Sequence, residues 1–103
     1  VQERYAQAAA SHVVTHDRDN PDETKLFHHI DFHETPENGR EEMVEQIQSL
    51  HLRLFGNHIE PDGPEVEANL ELWLDLYEVS LTNEDAWAGL LTVLLRDPDF
   101  LFY

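Results

Sequence analysis

The most regular pattern of apolar and polar positions lies in the last quarter of the chain, residues 82–103. Ala86, Trp87, Leu90, Leu91, Leu94 and Leu95 follow the spacing of one helical face. Thr82 is a good N-cap residue, and Asp85 three positions on gives a capping-box spacing with Asp in place of Glu. Glu84 and Asp85 set negative charge at the positive end of the helix dipole, Arg96 sits at the other end, and Pro98 stops the helix. Phe100, Leu101, Phe102 and Tyr103 follow, four large apolar residues that need burial in the core or against a partner. Phe100 is expected to fold back on Trp87 and Leu91, and Phe102 or Tyr103 to reach a neighbouring polypeptide.

The same spacing predicts three earlier helices. Glu3–Val14 is rich in alanine, with Tyr5, Ala9, Val13 and His12 on its inner face. A second helix opens at Asn38 or Gly39 and carries a stripe of Met43, Val44, Ile47, Leu50, Leu54 and Phe55 before Gly56–Asn57 ends it. A third begins at Pro64, which suits a first helical position, and places Val66, Leu70, Trp73 and Tyr77 on one face. Leu72, Leu74 and Leu76 broaden that face, so this helix is expected to lie centrally. Asp17–Thr24 reads as a polar loop. Lys25–Glu34 fits neither the helical nor the strand period and is expected to be a short helix or an irregular segment over the core. The chain is therefore all-α: a small bundle of about four helices with antiparallel helix pairs, residues 1–103 forming one helical domain or a fragment of a longer protein.

Charge narrows the partners. Twenty-two acids against six bases give a formal charge of −16, so nucleic acid and anionic lipid, which need a basic surface, are poor partners. The acidity fits either a saline milieu or docking onto a basic protein partner. No stretch is long enough to span a membrane, so no membrane insertion is expected. The absence of cysteine removes disulfides, thiolate metal sites and covalent haem attachment.

Seven histidines are the other oddity. His12 and His16 are four apart, as are His29 and His33, a spacing that on a helix turns both imidazoles of a pair to one side. Such pairs suit Zn²⁺, with Asp17, Asp31 or Glu34 to complete a site, and a neutral imidazole is also a haem ligand. A histidine-rich surface that relieves acidic repulsion accounts for the same residues. Asp17, Asp19, Asn20 and Asp22 crowd one loop but lack the EF-hand register, and a solvated acidic loop explains them. The serines have no nucleophile-elbow context, and no pair of acids is placed across a groove, so no catalytic residues are assigned. Trp73, Trp87 and Tyr77 read as core anchors.

The closing run Ala86–Tyr103, of the form AWxGLLxxLLxDPxFLFY, resembles the end of the planctomycete- and myxobacterial-type cytochrome c-associated domains of unknown function. The matching positions are Ala86, Trp87, Leu91, Leu94, Leu95, Pro98, Phe100, Leu101 and, with a shift, Tyr103, preceded by Leu52–Gly56 and Pro61–Val66. The resemblance covers roughly the second half of the chain, and the basic Arg-Pro run usual in the family's turn is replaced here by Asn57–Asp62. It implies an exported, extracytoplasmic setting and a cytochrome-associated assembly, with any haem in a partner.

The expectation is thus a non-catalytic helical interaction or structural subunit, with Phe100, Leu101, Phe102 and Tyr103 as partner-binding residues and no cofactor of its own. The alternative is a divalent-metal module built on His12, His16, His29 and His33. If the charge of −16 is an adaptation to salt, the melting temperature rises as NaCl is added, because repulsion is screened over about 10 Å at 0.1 M salt. A melting temperature that stays flat up to molar salt contradicts that adaptation.

Overall fold

A computed structural model describes residues 2–96, with side chains from Ala6 onward, and contains four helices. The first, α1, runs Gln2–Asp19 and so extends past the Val14 end expected from sequence. Its buried side chains are Ala6, Ala10, Val14 and Asp17, the i, i+4, i+8, i+11 series. Of the expected inner residues Val13 is half-buried against the core, whereas Ala9 and His12 are exposed, so the buried face is rotated. Asp17 is the polar member of the buried series and turns inward near the end of the helix.

The other three helices form where capping chemistry predicts. α2, Arg40–Phe55, starts at Gly39 and ends at Gly56, whose φ of 69° is the left-handed conformation that favours glycine. α3, Pro64–Ser80, has its proline at the first turn. α4, Asn83–Leu95, is capped by the Thr82 hydroxyl, which accepts the Asp85 N–H at 3.2 Å. The expected terminator Pro98 and the run Phe100–Tyr103 lie outside the described residues.

Packing places two helices between neighbours: α4 packs on α1 and α3, and α3 packs on α4 and α2, so the central position expected of α3 is shared with α4. Ala86, Trp87, Leu90 and Leu91 of α4 are wholly buried, whereas Leu74 of α3 is exposed and Leu72 and Leu76 are half-buried. The two helices approach closely at Gly89, where a Cβ would come within 2.9 Å of the Leu76 side chain. A hydrogen atom at that position is what lets Leu76 sit against α4.

Residues 25–34 form the irregular segment the sequence leaves open. They make no regular structure, yet Phe27, Ile30 and Phe32 are buried. Phe27 meets Trp87 edge-on with ring centroids 5.6 Å apart, and Trp87 meets Trp73 at 6.1 Å. Phe32 lies 5.4 Å from Phe27, and Trp73 stacks on Tyr77 at 5.1 Å. This aromatic chain joins the strap to α4 and α3, each pair contributing about 0.5–1.5 kcal/mol beyond its buried area.

A strap without helix or strand has backbone groups to satisfy. Asp17 satisfies three of them: its Oδ1 accepts the Lys25 N–H at 2.7 Å, and its Oδ2 accepts those of Leu26 and Phe27 at 3.0 and 2.9 Å. His16 Nδ1 lies 3.0 Å from the same carboxylate; because a carboxylate only accepts, this nitrogen bears the proton. Gln46, fully buried on α2, accepts the His29 N–H and donates to the Leu26 carbonyl. Arg53 donates to the Lys25 carbonyl at 2.9 Å, and Asn83 Nδ2 to that of Glu34 at 2.6 Å.

Asp17 is 2% exposed. Burial works to raise its pKa, but the N–H groups of Lys25, Leu26 and Phe27 and the His16 ring prevail and hold it below the ordinary 3.8. A lowered folded-state pKa means stabilisation that is complete above the unfolded value and is lost as pH falls through the folded one. Acid below pH 3.8 therefore weakens the fold through this group. Asp17→Asn keeps the shape but turns an amide N–H₂ toward backbone donors. It is predicted to cost about 1.5–3 kcal/mol at neutral pH and to flatten the acid limb of stability, both read from urea melts across pH. An unchanged midpoint and acid limb would contradict the anchoring role.

Candidate interaction surfaces

The histidines expected to pair do not share one arrangement. His12 and His16 are both on α1, but His12 is exposed while His16 is half-buried and engaged with Asp17. His29 and His33 lie on the strap, where the chain is not helical, so four-residue spacing does not bring them to one face. His29 Nδ1 faces Glu45 of α2 at 3.5 Å, whereas His33 Nδ1 turns back to the carbonyl of Asp31 at 2.9 Å. Among the described residues no three of His, Cys, Asp or Glu are grouped so as to hold a metal ion. Asp17, expected in a solvated acidic loop, is instead the buried anchor of the strap.

Two surface features stand out. The first is the corner joining α3 to α4, where Val79 is 86% and Leu81 74% exposed. Leu81 also has a φ of 64°, the left-handed C-cap conformation that closes α3 through its N–H to the Tyr77 carbonyl. A leucine there is disfavoured relative to glycine by about 1–2 kcal/mol. The outer face of α3 leading to this corner bears Glu67, Glu71, Asp75 and Glu78, and no basic residue lies on the helix. From that row Glu67 pairs with Arg40 of α2.

The second is a groove along the outer side of α2. Its wider part, about 640 Å³, lies between α2 and the 61–62 turn, with Arg40, Glu41, Val44 and Asp62 on its walls. Its narrower part, about 350 Å³, reaches His29, Ser49, Leu52, His58 and Ile59. Glu45 and Gln48 line both, and Gln48 Nε2 donates to the Ile59 carbonyl at 2.9 Å, fixing the turn to the helix. That His58, Ile59 and Asp62 return beside Glu45 and Gln48 is a property of the turn and had no sequence signal.

Comparison with known proteins gives no match: no family model, curated protein or solved structure is similar to this chain. The likeness to cytochrome c-associated domains thus rests on the sequence alone, on Leu52–Gly56, Pro61–Val66 and the Ala86–Tyr103 run.

The separate settings of His29 and His33 make a distinct prediction. Should excess Zn²⁺ raise the melting temperature, His33→Ala and His29→Ala affect that rise independently, each as in the other's absence. Non-additive loss, with either variant abolishing the whole rise, would restore a shared site.

Proposed function

We propose that this chain is a non-catalytic helical domain whose role is to dock onto another protein. The observation that carries this reading is the α3–α4 corner, with Val79 and Leu81 exposed beside an all-acidic outer face of α3. Leu81 contributes little burial to the fold and holds an unfavourable backbone conformation where glycine would serve the cap better. An aliphatic pair in such a place has a physical use once a partner covers it. The surrounding carboxylates favour a partner with basic residues and disfavour phosphate-bearing surfaces. An exported, cytochrome-associated setting is the part of the proposal that rests only on the resemblance of the second half of the chain.

The test is the double variant Val79→Ser/Leu81→Gly. Serine and valine have similar helix propensity, and glycine relieves the left-handed strain, so melting is predicted to stay level or shift up by about 1 kcal/mol. Co-purification of the tagged chain with its native neighbours is predicted to be lost. Wild-type association by the variant contradicts the role of the corner, and a strongly destabilised variant shows instead that these side chains serve the fold.

A further inference from the structure

The groove on α2 is a preformed hollow with an apolar floor and an acidic rim. Val44, Leu52, Ile59 and Pro61 supply the apolar surface, and Leu52 is 43% exposed although it borders the hollow. Glu41, Glu45 and Asp62 stand on the rim with their side chains in solvent. Arg40 also lines the wider part, but its guanidinium is paired with Glu67 of α3. The walls are held at a fixed distance by the Gln48–Ile59 bond, so the space does not depend on an occupant to open it.

This combination has a chemical counterpart. Lysine and arginine join an aliphatic stem to a cationic head, and such side chains lay the stem on apolar surface while the head finds carboxylates or water. We propose that the groove is a docking site for a basic segment of a partner protein, its lysine or arginine stems lying on Val44 and Pro61 with their cations among Glu41, Glu45 and Asp62, and its apolar side chains lying over Leu52 and Ile59. Phosphate-bearing ligands are repelled by the same rim. A second copy of this chain, itself carrying a charge of −16, is a poor occupant. The inference deepens the docking role but uses a surface separate from the α3–α4 corner.

The experiment uses the full chain, isotope-labelled, titrated with a short blocked peptide alternating lysine and leucine and followed by backbone amide shifts and calorimetry. Shifts are expected to concentrate at Val44, Glu45, Gln48, Ser49, Leu52 and Ile59. The triple variant Glu41→Gln/Glu45→Gln/Asp62→Asn is expected to weaken binding about fivefold or more, the combined effect of three partly exposed ion pairs. The matched variant Glu71→Gln/Asp75→Asn/Glu78→Gln, which removes equal charge from α3, is expected to change binding by less than about twofold. Leu52→Ser weakens binding as well, and the peptide with glutamate in place of lysine does not bind. Equal loss in both triple variants, or shifts spread along α3, would mean diffuse attraction and would overturn the site. Groove shifts that appear on raising protein concentration without peptide would make the occupant a second copy and also overturn it. The corner variant Val79→Ser/Leu81→Gly run in parallel keeps full peptide affinity, so a failure of the groove and a failure of the corner are read separately.

Discussion

The buried carboxylate of Asp17 is the interaction on which the rest of this structure depends. It takes up three consecutive backbone N–H groups of a strap that has no helix or sheet to satisfy them. Without such an acceptor, residues 25–27 could be buried only at the cost of orphaned donors, about 1–3 kcal/mol for each. With it, Phe27, Ile30 and Phe32 reach the core, and each large apolar side chain so buried contributes about 1.5–3 kcal/mol. The carboxylate loses hydration in the process, but several charge-assisted bonds replace it, which is why its pKa falls despite burial. Phe27 then meets Trp87, so the anchoring of one loop reaches the helix that α1 and α3 both pack upon.

Much of this architecture was legible in the sequence because it depends on local chemistry. Thr82 as a cap, Pro64 at a first turn and Gly56 in a left-handed stop are each decided within a few residues. The stripe on α2 is equally local. The features that escaped depend on distant partners. Asp17 looks like one more acid in a polar stretch until Lys25, Leu26 and Phe27 are brought over it. Gln46, which follows Glu45 and precedes Ile47, likewise has no local signal for its role, and only the strap crossing α2 gives its amide two partners. The central place expected of α3 is shared with α4, because leucine content says how much apolar surface a helix has, not how many helices will cover it. The pairing of His29 with His33 presumed a helix that the strap does not form.

The candidate surfaces follow the same division. Leucines and valines of α3 were visible as a broad apolar girth, but that Val79 and Leu81 would remain exposed was settled by which side α4 takes. The α2 groove exists because the 57–62 turn returns along the helix and is tied there by Gln48. Val79 lies on α3 and the groove runs along α2, helices whose opposite faces are buried in the core. The acidic surroundings govern which partners approach rapidly.

The account stands or falls on whether the strap belongs to the cooperative core. Native-state hydrogen exchange of the Lys25, Leu26 and Phe27 amides, compared with Leu90 and Leu91 of α4, measures this directly. If Asp17 anchors the strap as described, these three amides exchange only through global unfolding, with the same free energy as the α4 amides and the same dependence on denaturant. Exchange of Lys25, Leu26 and Phe27 through a low-energy local opening, while Leu90 and Leu91 remain protected, would show that the strap is held by something weaker and would contradict the account.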